Sequence, residues 1–440
     1  MVGAEEPAPA RRRPLIIPSL PLRAALADTD ALSVPVRWIA LRALTLMLLA
    51  CEFAVVHDVT YYRYALHALF VAHAGLHGTL IEYPLPALAV MLPQFLLAGM
   101  NTAAFCVLFA ATMLLCDACF TYALWLADGR QRGYATNFWL WFVPCIGPMA
   151  YFRFDLLPAL LAGAAMLVVA RRPATAGALV AFGAALKLWP AILLPALLLR
   201  REIRRRALSG FGVVGAAIAV PTVLLGGLSR SLSPIRYQAH RGLQIESVAA
   251  SPLMLARSFA PRTWRLRVSR FRAWEIYGPW VHAGLTAASL LSVLGLLVLA
   301  GLWWRAGHSH VVDVPLLGWM FFAAALVVTV TDKALSPQYI LWLGGTFAAV
   351  ASRSKGRPVH SAGSMLLVIA VVTQVIFPIG YGLLTVRSVA SIYPASLLVA
   401  RNALLVWLTF LACHQVWRLS ARSYVGQTKP ELAQSLSSRA

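Results

Sequence analysis

Six ionisable residues stand at the edges of long apolar segments in this sequence: Asp58, Glu82, Asp155, Lys187, Asp332 and Lys333. A charge at the centre of a membrane helix costs about 2.5–3.5 kcal/mol, so such groups are functional suspects, although one at headgroup level also serves as a plain interfacial anchor. Asp58 lies in the string His57-Asp58-Val59-Thr60-Tyr61-Tyr62-Arg63-Tyr64, and an amphipathic, aromatic stretch then runs to Glu82-Tyr83-Pro84. A carboxylate placed there can act as general base toward a hydroxyl held at the headgroup level. Composition leaves that role and simple interfacial packing both open.

The elements that must position these groups are membrane helices. Of 440 residues, 60% are apolar and 12% charged, against about 45–50% and about 25% in soluble domains. Windows of roughly 20 apolar residues, the length a spanning helix needs, recur along the chain. They predict an all-α, polytopic integral membrane protein of about a dozen crossings, with helices at 38–56, 101–127, 135–150, 155–170, 174–186, 188–199, 207–227, 280–304, 314–331, 336–352, 362–382 and 393–417. A cytoplasmic tail over 1–37 and another over 418–440 flank one membrane domain.

Basic loops favour the cytoplasmic side. Arg11 to Arg13, Arg130 with Arg132, Arg171 with Arg172, Arg200 to Arg206, Arg305, the group Arg353, Lys355 and Arg357, and Arg418 with Arg422 then all fall inside. This alternation requires 174–199 to be two short helices turning at Lys187-Leu188-Trp189-Pro190, and 84–98 to be interfacial or re-entrant. Short helices of that kind are tolerated where protein or a water-filled cavity surrounds them. Loops 57–100 and 228–279 face outward, and the suspect charges collect at the outer ends. The second loop carries nine arginines, from Arg230 to Arg272; phosphate binding and contact with anionic headgroups explain them equally well.

The formal charge of +22 is spread over these helix ends, which fits anchoring to anionic lipid and excludes a nucleic-acid partner for want of a basic domain outside the membrane. The cysteines, Cys116-x-x-Cys119 included, lie in or against apolar runs and read as small hydrophobes. His57, His73 and His77 do not form a metal-ligand pattern, and no site residue is assigned to a metal or cofactor. No nucleotide-binding glycine loop appears, which argues against a cytosolic nucleotide-sugar donor. The N-terminus lacks the short h-region and cleavage site of a signal peptide, so the first span is expected to be an uncleaved anchor. No internal repeat of the transporter kind is visible.

The chain resembles the polyprenyl-phosphate-dependent, C-type glycosyltransferases, specifically glycosyltransferase family 87, which includes actinobacterial mannosyltransferases. The resemblance is carried by Asp58-Val59 with Tyr61, Tyr62 and Tyr64; Glu82-Tyr83-Pro84; Arg153-Phe154-Asp155-Leu156-Leu157-Pro158; Lys187-Leu188-Trp189-Pro190; Tyr237-Gln238 through Arg241-Gly242-Leu243-Gln244-Ile245-Glu246-Ser247; and Leu335-Ser336-Pro337-Gln338-Tyr339. It implies a C-type fold with two long external loops, a polyprenyl-phosphate sugar as donor, transfer outside the membrane with inversion at the anomeric carbon, and Asp58 in the place of the catalytic base. Family members often carry Gly followed by Pro-Tyr before the acidic-Tyr-Pro string; here the chain runs Ala74-Gly75-Leu76-His77-Gly78-Thr79, so the turn on the acceptor side differs.

Such chemistry also needs cations for the leaving phosphate and a greasy groove for the isoprenoid. Lys187, Arg241 and His240 are the candidates for the phosphate, Arg offering a fork and Lys a point charge. Tyr62, Glu82, Gln338 and Tyr339 are candidates for sugar or acceptor contacts. Asp155 and Glu246 either bind sugar hydroxyls or pair with Arg153 and Arg241. The expected enzyme moves mannose to a glycolipid or glycan acceptor at the outer face of a bacterial plasma membrane. Transfer of arabinofuranose or another sugar is the near alternative, and a transporter or flippase of a lipid-linked substrate the more distant one.

Overall fold

The computed structural model describes residues 29–130, 133–309 and 312–437, with side chains from 33 to 421. Arg11 to Arg13, Arg132 and the expected N-terminal tail up to residue 28 lie outside what is described, as does the side chain of Arg422. Among the described residues the protein is all-α apart from one small hairpin, and seven helical stretches are long and apolar enough to cross a membrane: Ser33–Ala50, Thr102–Ala127, Arg204–Ala239, Val281–Gly307, Val314–Thr331, Arg357–Ile379 and Val389–Ala421. It is a polytopic membrane protein.

The helices are α1 (Thr29–Met47), α2 (His57–Phe70), α3 (Leu85–Ala98), α4 (Thr102–Ala127), α5 (Tyr134–Ile146), α6 (Leu156–Val168), α7 (Pro173–Leu186), α8 (Leu194–Leu199), α9 (Arg204–Ser231), α10 (Ser233–Ala239), α11 (Ser251–Phe259), α12 (Val281–Gly307), α13 (Val314–Thr331), α14 (Ile340–Ala351), α15 (Arg357–Gln374), α16 (Tyr381–Thr385) and α17 (Ile392–Ser437). Each of the twelve expected helices has a counterpart, and α1 begins before residue 38 while α17 continues past 417. The stretch 174–199 does form two pieces. The carboxyl end of α7 gives way to an extended Lys187 (φ −155°, ψ 126°), then a single turn over Trp189–Leu193. The stretch 84–98 is α3, and the segment before it contains a helix, α2, that was not foreseen.

The short helices α6 and α14 pack inside, and the long helices α9 and α12 outside. Every residue of α14 is buried, between α6 and α13, whereas α9 and α12 expose most of their apolar surface. Lipid covers that surface and gives no hydrophobic drive for helix association, so close backbone approach matters. Where α7 meets α9, a Cβ on Gly177 or Gly210 would collide with the carbonyl oxygen of Ala207 or Ala174. The six cysteines are free, and Cys51 and Cys119 turn outward rather than into the core.

A buried ion pair ties α1 to this bundle. Asp117 on α4, fully buried, accepts from Arg42 Nε at 2.7 Å and Nη2 at 3.0 Å, from the indoles of Trp38 and Trp139 at 2.8 and 2.7 Å, and from the Tyr151 hydroxyl at 2.9 Å. Removing one partner from such a pair strands a buried charge, at a cost of about 3–5 kcal/mol. Asp117→Ala is therefore expected to lower the thermal unfolding midpoint of the purified protein markedly, and the double variant Arg42→Met with Asp117→Leu to recover most of the loss.

Outside the bundle, residues 243–276 build a small second core. The antiparallel hairpin of β1 (Arg265–Val268) and β2 (Trp274–Tyr277) and helix α11 pack with Leu243, Ile245 and Met254 against Ile376, Leu384, Ala395 and Leu398. Arg401 on α17 holds this layer down: its Nη1 meets Glu246 Oε2 at 3.0 Å and its Nη2 donates to the Glu246 carbonyl at 2.8 Å.

Candidate active site

Helix α7 ends, and α2, α6 and α14 begin, around one cavity of about 450 Å³. It is roofed by the hairpin turn between β1 and β2 and walled by α10 and the segment 334–339. The far ends of α6 and α14 meet where Arg353 Nη2 donates to the Leu167 carbonyl at 3.1 Å. The cavity thus opens at the bundle end opposite the Arg171, Arg200 and Arg353 clusters.

Asp58 reaches the cavity because α2 starts at His57, immediately after a turn over Phe53–Val56. Its side chain is 42% exposed, and Oδ2 lies 3.1 Å from Arg153 Nη1. Arg153 is itself buried, donating to the carbonyls of Val55 at 2.8 Å and Phe152 at 3.2 Å, with its guanidinium over the Phe377 ring. The arginine therefore clamps the turn that presents Asp58 as well as the carboxylate. Pairing with Arg153 was one of two readings of Asp155; Arg153 pairs with Asp58 instead.

Asp155 sits below the cavity floor, fully buried at the amino end of α6. Its Oδ1 receives Lys187 Nζ at 2.6 Å and the Trp342 indole at 2.8 Å. The extended backbone at Lys187 carries the ammonium out of the helical path and into a box made by the rings of Tyr83, Tyr339 and Trp342, at 5.4, 5.2 and 5.4 Å. Trp342 stacks between Tyr339 and Trp189. Lys187 is 18% exposed, so a cation held from below presents itself to a ligand above.

The remaining walls are polar and aromatic. Tyr62 and Tyr83 share a hydrogen bond between hydroxyls at 2.9 Å, and Tyr61 donates to Glu82 Oε1 at 2.8 Å. Burial pushes the Glu82 carboxyl above the ordinary carboxylate range, against the opposing pull of the Tyr61 hydroxyl and Arg272. Arg272, in the hairpin turn, stacks on Tyr61 at 3.8 Å. Gln238 donates to both oxygens of Asp332 at 3.0 and 2.9 Å and accepts from Arg241 at 3.4 Å. Burial raises the Asp332 carboxyl as well, partly offset by the Ala334 amide, Arg241 and Gln238.

Of the residues singled out in the sequence, Asp58, Lys187, Arg241, Tyr62, Glu82, Gln338 and Tyr339 line this one cavity. Asp155 supports it from below. Glu246 does not reach it: the carboxylate is fully buried against Arg401 rather than near Arg241. His240 lies on the other side of Tyr237 and Phe271, in a neighbouring depression. Arg272, Trp274, Phe377 and Tyr381 join the lining without having been given a role, and so does Arg153, offered only as a partner for Asp155. The turn that places Arg272, with φ +54°, leaves no sequence signal of its own, although Arg153 stood in plain view beside Asp155. Among the described residues no group of three His, Cys, Asp or Glu side chains is set to hold a metal.

This arrangement offers a carboxylate open to an incoming hydroxyl, cations from other elements lining the same cavity, and aromatic faces suited to sugar rings. Residues 81–331, more than half of the chain, match the family model described as Glycosyltransferase family 87. No curated protein and no solved structure matches the chain. The chain belongs to glycosyltransferase family 87 and is a membrane glycosyltransferase.

Proposed function

We propose that this enzyme transfers a sugar, mannose, from a polyprenyl phosphate to a hydroxyl of a lipid or glycan acceptor on the outer face of the plasma membrane, with inversion. The observation that carries the reading is the shared cavity of Asp58, Lys187 and Arg241. Its location opposite the basic helix ends supports an outward orientation and cytoplasmic termini, because basic loops are retained inside.

In this reading Asp58 takes the proton of the acceptor hydroxyl as the oxygen attacks the anomeric carbon. The bond from that carbon to the phosphate oxygen breaks, and its electron pair leaves with the polyprenyl phosphate. Lys187 and Arg241 stabilise the charge that develops on the departing phosphate, and they are positioned before the reaction begins, which is where electrostatic catalysis gains most. Arg153 holds Asp58 at the angle the attack requires. His240 and Glu246 have no part in these steps.

Presenting purified protein with equal amounts of radiolabelled mannosyl and arabinofuranosyl polyprenyl phosphates, with a membrane lipid extract as acceptor, tests the donor. Mannose is expected in the product. Transfer of arabinose alone moves the reading to a pentosyltransferase, and transfer of neither label overturns a polyprenyl-phosphate donor.

A further inference from the structure

A second depression, of about 400 Å³, adjoins the reaction cavity and shares Tyr237 and Phe271 with it as a dividing wall. The wall is held by an edge-on ring contact at 4.9 Å and by the Tyr237 hydroxyl donating to the Phe271 carbonyl at 2.8 Å. Three separate stretches of chain bring His77, Arg236, His240 and Arg270 to its lining, and no carboxylate lies among them. Their contacts are neutral. Arg236 Nη2 donates to the Ser229 carbonyl at 2.6 Å, His240 Nδ1 faces the Arg236 carbonyl at 2.7 Å, and the Arg270 guanidinium lies over the Phe271 ring. Arg230 beneath them is already consumed by the carbonyls of Leu76, Thr79, Leu80 and Tyr83. It builds the floor and leaves the four above to meet a ligand. Just before Ser229 and Arg230 in α9, Leu224, Leu225 and Leu228 are 80%, 74% and 67% exposed, apolar surface suited to acyl chains.

We infer that this depression is a second anion site, distinct from the place of the donor phosphate, and that it takes the phosphodiester of a negatively charged lipid headgroup. Two arginines with no acidic partner among the described residues suit phosphate oxygens, and the exposed leucines of α9 suit the rest of a lipid. Such a ligand joins the hairpin turn, through Arg270, to α10 and to the loop at His77. It would lie against the Tyr237–Phe271 wall that separates it from the reaction cavity. The inference rests on the membrane setting and not on Asp58 being the base.

Retention of phosphatidylglycerol by the purified full chain, read by native mass spectrometry in detergent, tests it. The parent and Asp58→Asn are both expected to hold one phosphatidylglycerol per chain and no phosphatidylcholine at that site. Arg236→Gln with Arg270→Gln should weaken retention by at least about tenfold, since charge-assisted contacts are the strong ones, and Arg236→Lys with Arg270→Lys should keep most of it. Competition by glycerophosphoglycerol, which lacks acyl chains, would assign the site to a free phosphodiester such as a phosphorylated glycan; resistance to it assigns the site to the intact lipid. Equal retention by parent and the Gln double variant, or equal retention of phosphatidylcholine, overturns the inference.

Discussion

Asp58→Asn is expected to lower the rate of sugar transfer by about 10²–10⁴-fold, the usual contribution of a positioned general base, while the thermal unfolding midpoint stays near that of the parent. The substitution keeps the shape of the side chain but removes its ability to take a proton. The fold tolerates it because Asp58 is well exposed and because Arg153 keeps its bonds to the Val55 and Phe152 carbonyls. Turnover of purified protein on labelled donor checks the rate, and a melting curve of the same sample checks the fold. A variant that is folded and fully active removes Asp58 from the mechanism.

Lys187→Met has the second large effect, and it has two parts. Asp155 is fully buried and one of its oxygens, Oδ2, has no hydrogen-bond partner among the described residues. Without the ammonium, the carboxylate keeps only the Trp342 indole, so a loss of about 3–5 kcal/mol in stability is expected. Transfer is expected to fall as well, by about 10²–10³-fold if the ammonium stabilises the leaving phosphate as one preorganised electrostatic group. Adding Asp155→Asn separates these parts. The double variant no longer buries an unpaired charge, so its unfolding midpoint should recover while its transfer rate should not. Recovery of both would mean that Lys187 serves only as the partner of Asp155.

Much of the fold was legible in the sequence because apolar runs and Arg clusters report helices and their ends separately. The break at Lys187 followed from charge placement alone: two basic loops on either side of 174–199 left no room for a single crossing. Asp58 and Lys187 followed from charges at helix ends on one side, while Arg241 and the Gln338-Tyr339 pair came with the family resemblance; they meet because loops and helix ends on one side of a bundle converge. What stayed hidden was pairing across the bundle. Arg401 and Asp117 lie deep in apolar helices, and nothing near either in the sequence names its partner; Glu246 and Arg42 find them only through packing. Proximity in sequence misled at Arg153, which sits two residues from Asp155 but points back to the turn before Asp58. His240 next to Arg241 misled likewise, because at the end of α10 successive side chains diverge to opposite sides of the Tyr237–Phe271 wall. Helix α2 was missed because its tyrosines and histidines mix polar and apolar character, and this blurs the periodicity that marks a buried face.

The fate of the donor in sealed proteoliposomes tests the central claim most directly. With mannosyl polyprenyl phosphate labelled in the sugar and a lipid extract as acceptor, label should move into a covalent product of inverted anomeric configuration. One polyprenyl phosphate should be released per sugar transferred, and protein carrying Asp58→Asn should form almost none of the product. Label that crosses the bilayer still attached to its polyprenyl phosphate, with no covalent product at any time, would contradict the account.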